Sequence, residues 1–572
     1  MKNLYIVFFV LTLVLAFVLR FYALDKVPPG LYQDETAIGY NAYSILKTGK
    51  DEYGKSFPLY FKSFGDYKLP VYIYATVPSI SVFGLTPFAV RLPSALFGFL
   101  TVPVFALFIY QLTKNKNLSL LSTVLLAVTP WHLHYNRATF EVSISLFLFT
   151  LGAYLIHKAL NMEKARGLFF LGTISFVLGL YTYNLTRLLA PILFILILLI
   201  FRRKIKAVGK AELILTFVTA VITLIPFLIT FLSGGGALSA AGTLINSSAV
   251  VQAPLLEFRS YLVSSGFFLP GLLFNKLLLT LWQYLSNVFS YFSVDFFFIS
   301  GSPHGNHGIG NVGLFYLFEL PFLILGLIGV FRRKLEWGYF LILWAVSTIA
   351  VASLTREVPH ATRSFFLIVP LTAFIALGIL EFYAFVKNKN KLLKYLLLGV
   401  ILLVSFYNGL YYFASYYFRF PVKYAKAWSS TDSQLSTFLK MRNKTYERII
   451  VDKDSGLKYT SLLFYLAYPP QSFQNTVVRR RDDSEGFSEV KSFGNFEFRE
   501  VDWLIDYQSP NTLIITRADK VPSQITPLKS FFYPKRPVVI SNGQAILQYP
   551  VIDSSYVLVE SITPVEQLVQ TK

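Results

Sequence analysis

The sequence predicts a polytopic α-helical membrane protein with a small α/β domain at its C-terminal end. Three observations lead there. Of the 572 residues 54% are hydrophobic and 15% charged, where soluble domains average about a quarter charged. The apolar residues gather in runs near the roughly 20 residues a span needs, separated by short Lys/Arg clusters. Beyond about residue 414 hydropathy drops, and charges of both signs mix with short β-like runs. This composition excludes a soluble globular enzyme and a disordered chain. The formal charge of +21, from 52 Lys/Arg against 31 Asp/Glu, would suggest nucleic acid in a soluble protein. Here the cations sit in loops between apolar runs, so they mark a membrane side, with no nucleic-acid partner. Cysteine is absent, which removes disulfides, thiolate metal sites and Cys nucleophiles.

Taken in order, about 11 transmembrane helices are predicted: 4–22, 88–112, 118–133, 140–158, 167–183, 185–201, 211–232, 313–331, 336–354, 364–386 and 392–413. The first is too long for a cleaved signal and lacks a small-residue cleavage site. With the N-terminus cytoplasmic, the clusters Lys114/Lys116, Lys158/Lys164/Arg166, Arg202–Lys210, Arg332–Lys334 and Lys387–Lys394 all fall inside, as the positive-inside bias requires. That parity also sorts the ambiguous segments. Residues 69–86, broken by prolines and glycine, are expected to lie in the interface, because a span there would invert every later loop. Residues 255–300, aromatic-rich and interrupted at Pro270, Gly271 and Lys276, read as re-entrant or interfacial helices, a pair of spans being the alternative. The expected organisation is a membrane domain over 1–413, with outer loops 23–87 and 233–312, and an extracytoplasmic α/β domain over 414–572. In the latter, Arg448–Val451 and Thr512–Thr516 read as strands, Ser461–Ala467 as helix, and Val538–Ile540 with Ala545–Gln548 as a hairpin about Ser541–Asn542–Gly543. Its mixed charge suits an autonomous module, expected to be dispensable for any chemical step.

Ionisable residues at membrane level are functional candidates, because a charge there is costly. The outer loops concentrate them. Asp34 and Glu35 follow the first span and Pro28–Pro29–Gly30, ahead of a helix over Thr36–Thr48 whose Ile38, Ala42, Ile45 and Leu46 form a stripe for lying on the membrane. Asp34 reads either as that helix's N-cap or as a general base, and the two readings are compatible. Asp66 and Lys68 put an acid and a cation at the outer interface, where a snorkelling lysine is the plainer reading. Arg137 and Glu141 read as an i,i+4 helix pair or as site residues. Arg356, His360 and Arg363 break the inside bias in a short outer loop, which points to an anion. His132 and His134 would face opposite sides of a helix, and His304 with His307 lack a third ligand at metal spacing, so no metal site is predicted. No phosphate-loop, dinucleotide or nucleophile-elbow motif occurs in a suitable context.

These residues carry a resemblance. Arg20–Phe21, Pro28–Pro29–Gly30, Asp34–Glu35, Thr48–Gly49, Lys68–Leu69–Pro70, Phe83–Gly84 and Arg91–Leu92–Pro93–Ser94 resemble the opening of the GT-C fold glycosyltransferases related to protein O-mannosyltransferases and lipid A aminoarabinose transferases. Asn136–Arg137, Glu141, Gly179–Leu180, Tyr183, Arg187 and Glu319–Leu320–Pro321 extend it over about 1–410. The resemblance implies an enzyme of the outer membrane face that moves a sugar from a polyprenyl-phosphate donor to a hydroxyl of a protein, lipid or glycan acceptor; displacement in one step then implies inversion at C1. It implies Asp34 as base, Lys68 as interface cation and Arg137 as a phosphate contact. Glu35 and Glu141 are further carboxylate candidates, and Arg363 joins the phosphate group by position and charge. No cofactor is required, since Lys and Arg can supply the charge; a divalent metal is compatible but unsupported. The competing class is a transporter or flippase of lipid-linked glycans, which would spread polar residues through the mid-depth of many spans, whereas here they cluster at one face.

Overall fold

The structure, a computed structural model, describes residues 2–561 except 65, 163–166, 233–243, 246–248, 443–444, 482–487, 535–538, 542–543 and 548–553. The chain divides into two compact units, one of residues 1–22 with 93–415, the other of 23–92 with 416–572. Segment 23–87, expected from hydropathy to belong with the membrane half, therefore folds together with the tail. Its helix Gln33–Thr48 contributes Tyr40 to the tail's core.

The first unit is helical. All the apolar segments contain helix: α1 (Lys2–Phe21), then, after α2 and α3 of the other unit, α4 (Pro87–Thr113), α5 (Lys116–Val128), α6 (Pro130–Tyr135), α7 (Glu141–Ala159), α8 (Leu168–Leu180), α9 (Thr186–Ile200) and α10 (Lys210–Leu232), followed by helices Leu320–Arg332, Glu336–Ala352, Ile368–Val386 and Lys391–Ala414. Among the described residues five helical stretches, Leu4–Phe21, Pro87–Thr113, Glu141–Ala159, Phe365–Val386 and Lys391–Lys423, are long and apolar enough to cross a membrane. This is a multi-pass membrane protein. The segment expected as one span over 118–133 is two helices, because Pro130 starts α6 where a continuous helix would need its missing N–H. Helices Leu320–Arg332 and Ile368–Val386 approach closely through Gly326 and Gly378, where a Cβ would strike the facing backbone of Phe374 and Phe322. The 255–300 region forms helices Ala249–Ser264, Pro270–Leu273 and Lys276–Ser290.

The second unit centres on a seven-stranded sheet in the order β4-β5-β6-β3-β7-β11-β8. Central β3 (Arg448–Asp452) runs parallel to β6 (Phe496–Arg499) and β7 (Thr512–Thr516). β4 (Val478–Arg479), β5 (Val490–Phe493), β8 (Lys529–Phe532) and β11 (Ser554–Glu560) complete it through antiparallel pairs. Successive side chains point to opposite faces, so Ile449 and Val451 enter one core cluster and Ile450 the other. The hairpin strands are β9 (Val539–Ser541) and β10 (Gln544–Leu547), paired antiparallel; its Asn542–Gly543 turn lies outside the described residues. The expected helix near Ser461 is Tyr459–Tyr465.

Helix α2 (Gln33–Thr48) is the piece the sequence placed differently. Its stripe residues Ile38, Ala42 and Ile45 are buried, but so are Glu35, Thr36, Tyr40, Asn41 and Ser44 on its other sides. Its stripe is covered by protein: the helix packs against α3 (Pro70–Phe83) and helix Tyr459–Tyr465. Gly39 permits the approach: a Cβ there would come 2.6 Å from the Phe464 ring and 2.8 Å from Val90. Tyr40 is a member of the tail's main core cluster, with Tyr43 and Phe64 packed against it.

Candidate active site

In the second unit, α2 starts at Gln33, with Tyr32 at the N-cap position and no side-chain cap bond. Asp34 is thus inside the first turn and is not the cap. Its Oδ1 accepts a hydrogen bond from Lys68 Nζ at 2.8 Å; the Asp34 side chain is 38% exposed and that of Lys68 5%. Lys68 reaches this place because β1 (Phe61–Ser63) and β2 (Asp66–Lys68) form a hairpin pairing Phe61 with Lys68. Pro70, at the first position of α3, then turns the chain away. The lysine is neither at the surface nor snorkelling: it is buried, with its ammonium 5.2 Å from the Phe64 ring. Asp66 opens β2, opposite Ser63.

Glu35 has a different environment. Fully buried, it accepts from Arg91 Nε at 2.9 Å on Oε1 and from a terminal Arg91 nitrogen at 3.0 Å on Oε2. Arg91, also buried, donates to the carbonyls of Leu24 and Pro28 at 3.0 Å and to that of Gly30. One guanidinium thus closes the Pro28–Pro29–Gly30 turn on the first residues of α2, with Trp428 5.8 Å away. A bidentate pair satisfied in this way is a scaffold. Arg91 was not singled out from sequence as a partner for Glu35, although a cation at the outer end of an expected span carries the same signal as Arg363.

A second buried polar node lies further along α2. Asn41 Nδ2 donates to Glu52 Oε1 at 3.4 Å, its Oδ1 accepts from Glu52 N at 3.0 Å, and Tyr459 Oη donates to Glu52 Oε2 at 3.1 Å. Arg479 donates to the Glu52 carbonyl at 3.1 Å and stacks on Tyr53 at 3.8 Å. Burial pushes the Glu52 carboxyl above its ordinary range. Sequence reasoning missed this node, since Tyr459 and Arg479 lie over 400 residues from Glu52.

The remaining candidates belong to the first unit. Arg137 is buried and donates to the Leu19 carbonyl at 2.8 Å and the Arg20 carbonyl at 3.3 Å, the last carbonyls of α1. Glu141 is the first residue of α7, and Arg137 lies in the turn between α6 and α7. Of the two readings of this pair, the i,i+4 pair on one helix does not apply, because no helix joins the two residues. Arg363 donates to Thr355 Oγ1 and the Glu357 carbonyl, both at 3.0 Å, and so ties its own loop. Arg356 is exposed. His360 is buried, its Nδ1 accepts from Thr362 N at 3.2 Å, and burial, with His307 and Arg363 beside it, holds its imidazole well below the usual histidine range. It presents a dipole, not a cation, at neutral pH. The fold brings His304 and His307 to His360, with ring centroids 5.9 and 4.7 Å away. Among the described residues no cluster of three His, Asp or Glu can hold a metal ion. His132 Nδ1 meets Arg20 at 2.6 Å and His134 Nε2 meets the Asn306 carbonyl at 2.9 Å, as two residues on different sides of α6 would.

Residues 7–234 match the family model of dolichyl-phosphate-mannose-protein mannosyltransferase. No curated protein sequence matches the chain. Among solved structures, ArnT from Cupriavidus metallidurans in the apo state superposes with a TM-score of 0.53 at 13% identity, over 96% of this chain and 97% of that one. ArnT bound to undecaprenyl phosphate gives 0.54 at 12% identity over the same shares. The chain has the GT-C fold. AglB from Archaeoglobus fulgidus, solved with an inhibitory peptide and a dolichol-phosphate, matches at 0.48 and 12% identity over 81% of this chain and 64% of that one. In this GT-C chain the mannosyltransferase-type match spans Asp34, Glu35, Lys68, Arg137 and Glu141.

Proposed function

We propose that the protein is an integral membrane glycosyltransferase that moves a sugar from a polyprenyl-phosphate donor to an acceptor hydroxyl. The observation that carries this is a part-exposed carboxylate, Asp34, held 2.8 Å from a buried ammonium, Lys68, within a GT-C fold. A structure of the same fold binds undecaprenyl phosphate, and the matched family model is that of a dolichyl-phosphate-mannose transferase, which supports a lipid-phosphate donor.

The geometry lends itself to a single inverting displacement. Asp34 takes the proton of the acceptor hydroxyl as its oxygen bonds to sugar C1, while the C1–O bond to phosphate breaks and the electron pair leaves with the polyprenyl phosphate. An ammonium has three N–H donors, so Lys68 can orient Asp34 and also meet a phosphate oxygen. Negative charge grows on that phosphate as the bond breaks, which makes cations there more effective in the transition state than in the ground state. From sequence alone, Arg137 by resemblance and Arg363 by position and charge are further phosphate candidates, and Glu141 is a further carboxylate candidate. Glu35, engaged by Arg91, supports α2. The N-terminus is cytoplasmic and the tail extracytoplasmic in this reading, so transfer takes place on the outer face.

The test is to incubate purified protein in lipid nanodiscs with labelled polyprenyl-phosphate hexoses and pentoses and a membrane extract, then identify products by mass spectrometry. A new glycosidic bond with release of polyprenyl phosphate is expected. Carriage of the intact donor between leaflets without a new bond would favour the transporter reading.

A further inference from the structure

Asp34 and Asn41 are seven residues apart on α2. Seven residues fall about 20° short of two full turns, so the two side chains leave the helix on one face, one below the other. Any rotation of α2 about its axis moves both. Asp34 points to Lys68, and Asn41 points to Glu52, which the tail's Tyr459 holds through its hydroxyl at 3.1 Å. Asn41 is 1% exposed, Glu52 1% and Tyr459 8%, so this link is shielded from water.

Apolar contacts already attach α2 to the tail. Gly39 lies against Phe464 and Tyr40 enters the core. A buried carboxylate at such an interface is a costly way to add stability, since well-packed apolar groups often serve as well. What the polar node adds is direction: apolar packing tolerates a small rotation, whereas hydrogen bonds at both oxygens of Glu52 do not. The lever is large enough to matter. On a helix whose side chains extend about 5–6 Å from the axis, a rotation of about 10° displaces a terminal atom by about 1 Å. A misplacement of about 1 Å can cost on the order of a hundredfold in rate.

We infer that Tyr459, acting through Glu52 and Asn41, is a positioning residue that sets the rotation of α2 and thereby the aim of Asp34. The tail then takes part in the transfer step without touching substrate. This rests on the assignment of Asp34 as base, and the experiment separates the two.

Full-length wild type, Tyr459→Phe and the isosteric Glu52→Gln are compared by hydrogen exchange over residues 33–41 and by steady-state kinetics. Tyr459→Phe removes one hydroxyl and keeps the ring, so the fold survives. The expected result is faster exchange over 33–41, a fall in kcat of at least about tenfold and a donor KM within about twofold of wild type. Glu52→Gln should move the same quantities in the same direction. A lowered melting temperature with kcat unchanged would show a purely structural tyrosine and overturn the inference, as would unchanged exchange over 33–41 in both variants. If wild type transfers no sugar from any donor, the functional reading falls, and the exchange measurement alone decides whether Tyr459 sets α2.

Discussion

Replacing Asp34 by Asn separates chemistry from structure because the two effects differ in size. Asp34 is not the N-cap of α2, so no cap bond is lost. Asn Oδ1 can still accept from Lys68, and what disappears is the charged part of a pair whose acid is 38% exposed. Screening limits that contribution to below about 1 kcal/mol, and losing a negative charge in the first turn costs roughly 0.3–1 kcal/mol more. The folded state should therefore weaken by about 1–2 kcal/mol at most. Losing a general base costs about 10²–10⁴ in rate, or roughly 3–5 kcal/mol on the barrier. Initial rates at saturating donor, with the melting temperature measured on the same preparation, give both numbers. Turnover within a few-fold of wild type would refute the assignment and move suspicion to Glu141.

Other outcomes follow from the same geometry. Glu35→Gln leaves the buried Arg91 cation facing a neutral amide, so stability should fall by about 3–5 kcal/mol, read as a lower melting temperature without donor. Asp432, buried and bonded by Tyr556 Oη at 2.7 Å, has its carboxyl pushed by burial from 3.8 to about 6. Because the folded-state value is the higher one, the native state favours the protonated acid; stability is greatest below pH 3.8 for this group and is lost as pH rises through about 6. A rise from 3.8 to about 6 corresponds to about 3 kcal/mol, so Asp432→Asn should flatten the stability–pH curve between pH 4 and 6, as read by urea unfolding. Reporter fusions after Lys204 and Lys389 should report cytoplasm and a tag after Gly456 the outer side; a cytoplasmic tag would overturn the assigned face.

The membrane half was legible because hydropathy is a local property. A run such as 140–158 needs no distant partner to be helical, and it is α7 in the structure. Strands β3 and β7 were legible for the same reason, being short β-branched runs buried on both faces. The start of α2 was misplaced because Asp resembles a cap in sequence, whereas the chain begins the helix at Gln33, before it. The stripe over Ile38, Ala42 and Ile45 was found, but a stripe says that a face is buried and not what covers it. Gly39, one turn from Glu35, was the missed sign: a glycine inside a helix that costs stability there usually serves a close approach. Nothing in the sequence joins Asp34 to Lys68, 34 residues on; the β1–β2 hairpin is what brings them together.

The tail was read as an autonomous module, and the packing argues otherwise. Thr36, Tyr40, Asn41 and Ser44 are spread along nearly the whole of α2. Thr36 bonds Thr460, Tyr40 bonds the Tyr468 carbonyl, and Ser44 accepts from Gln474. Asn41 reaches Tyr459 through Glu52. Without the tail these groups, together with Gly39's bare backbone and the Tyr40 ring, would face solvent or lipid, and a helix of 16 residues on its own is only marginally stable in water. The segment that carries the candidate base thus obtains its order from residues far along the chain. A segment that carries a candidate base needs such a support, because its 16-residue helix is not self-sufficient. Here Arg91 fixes the entry to α2 and the tail fixes its length, so the acid–ammonium pair stands on a scaffold drawn from both ends of the sequence.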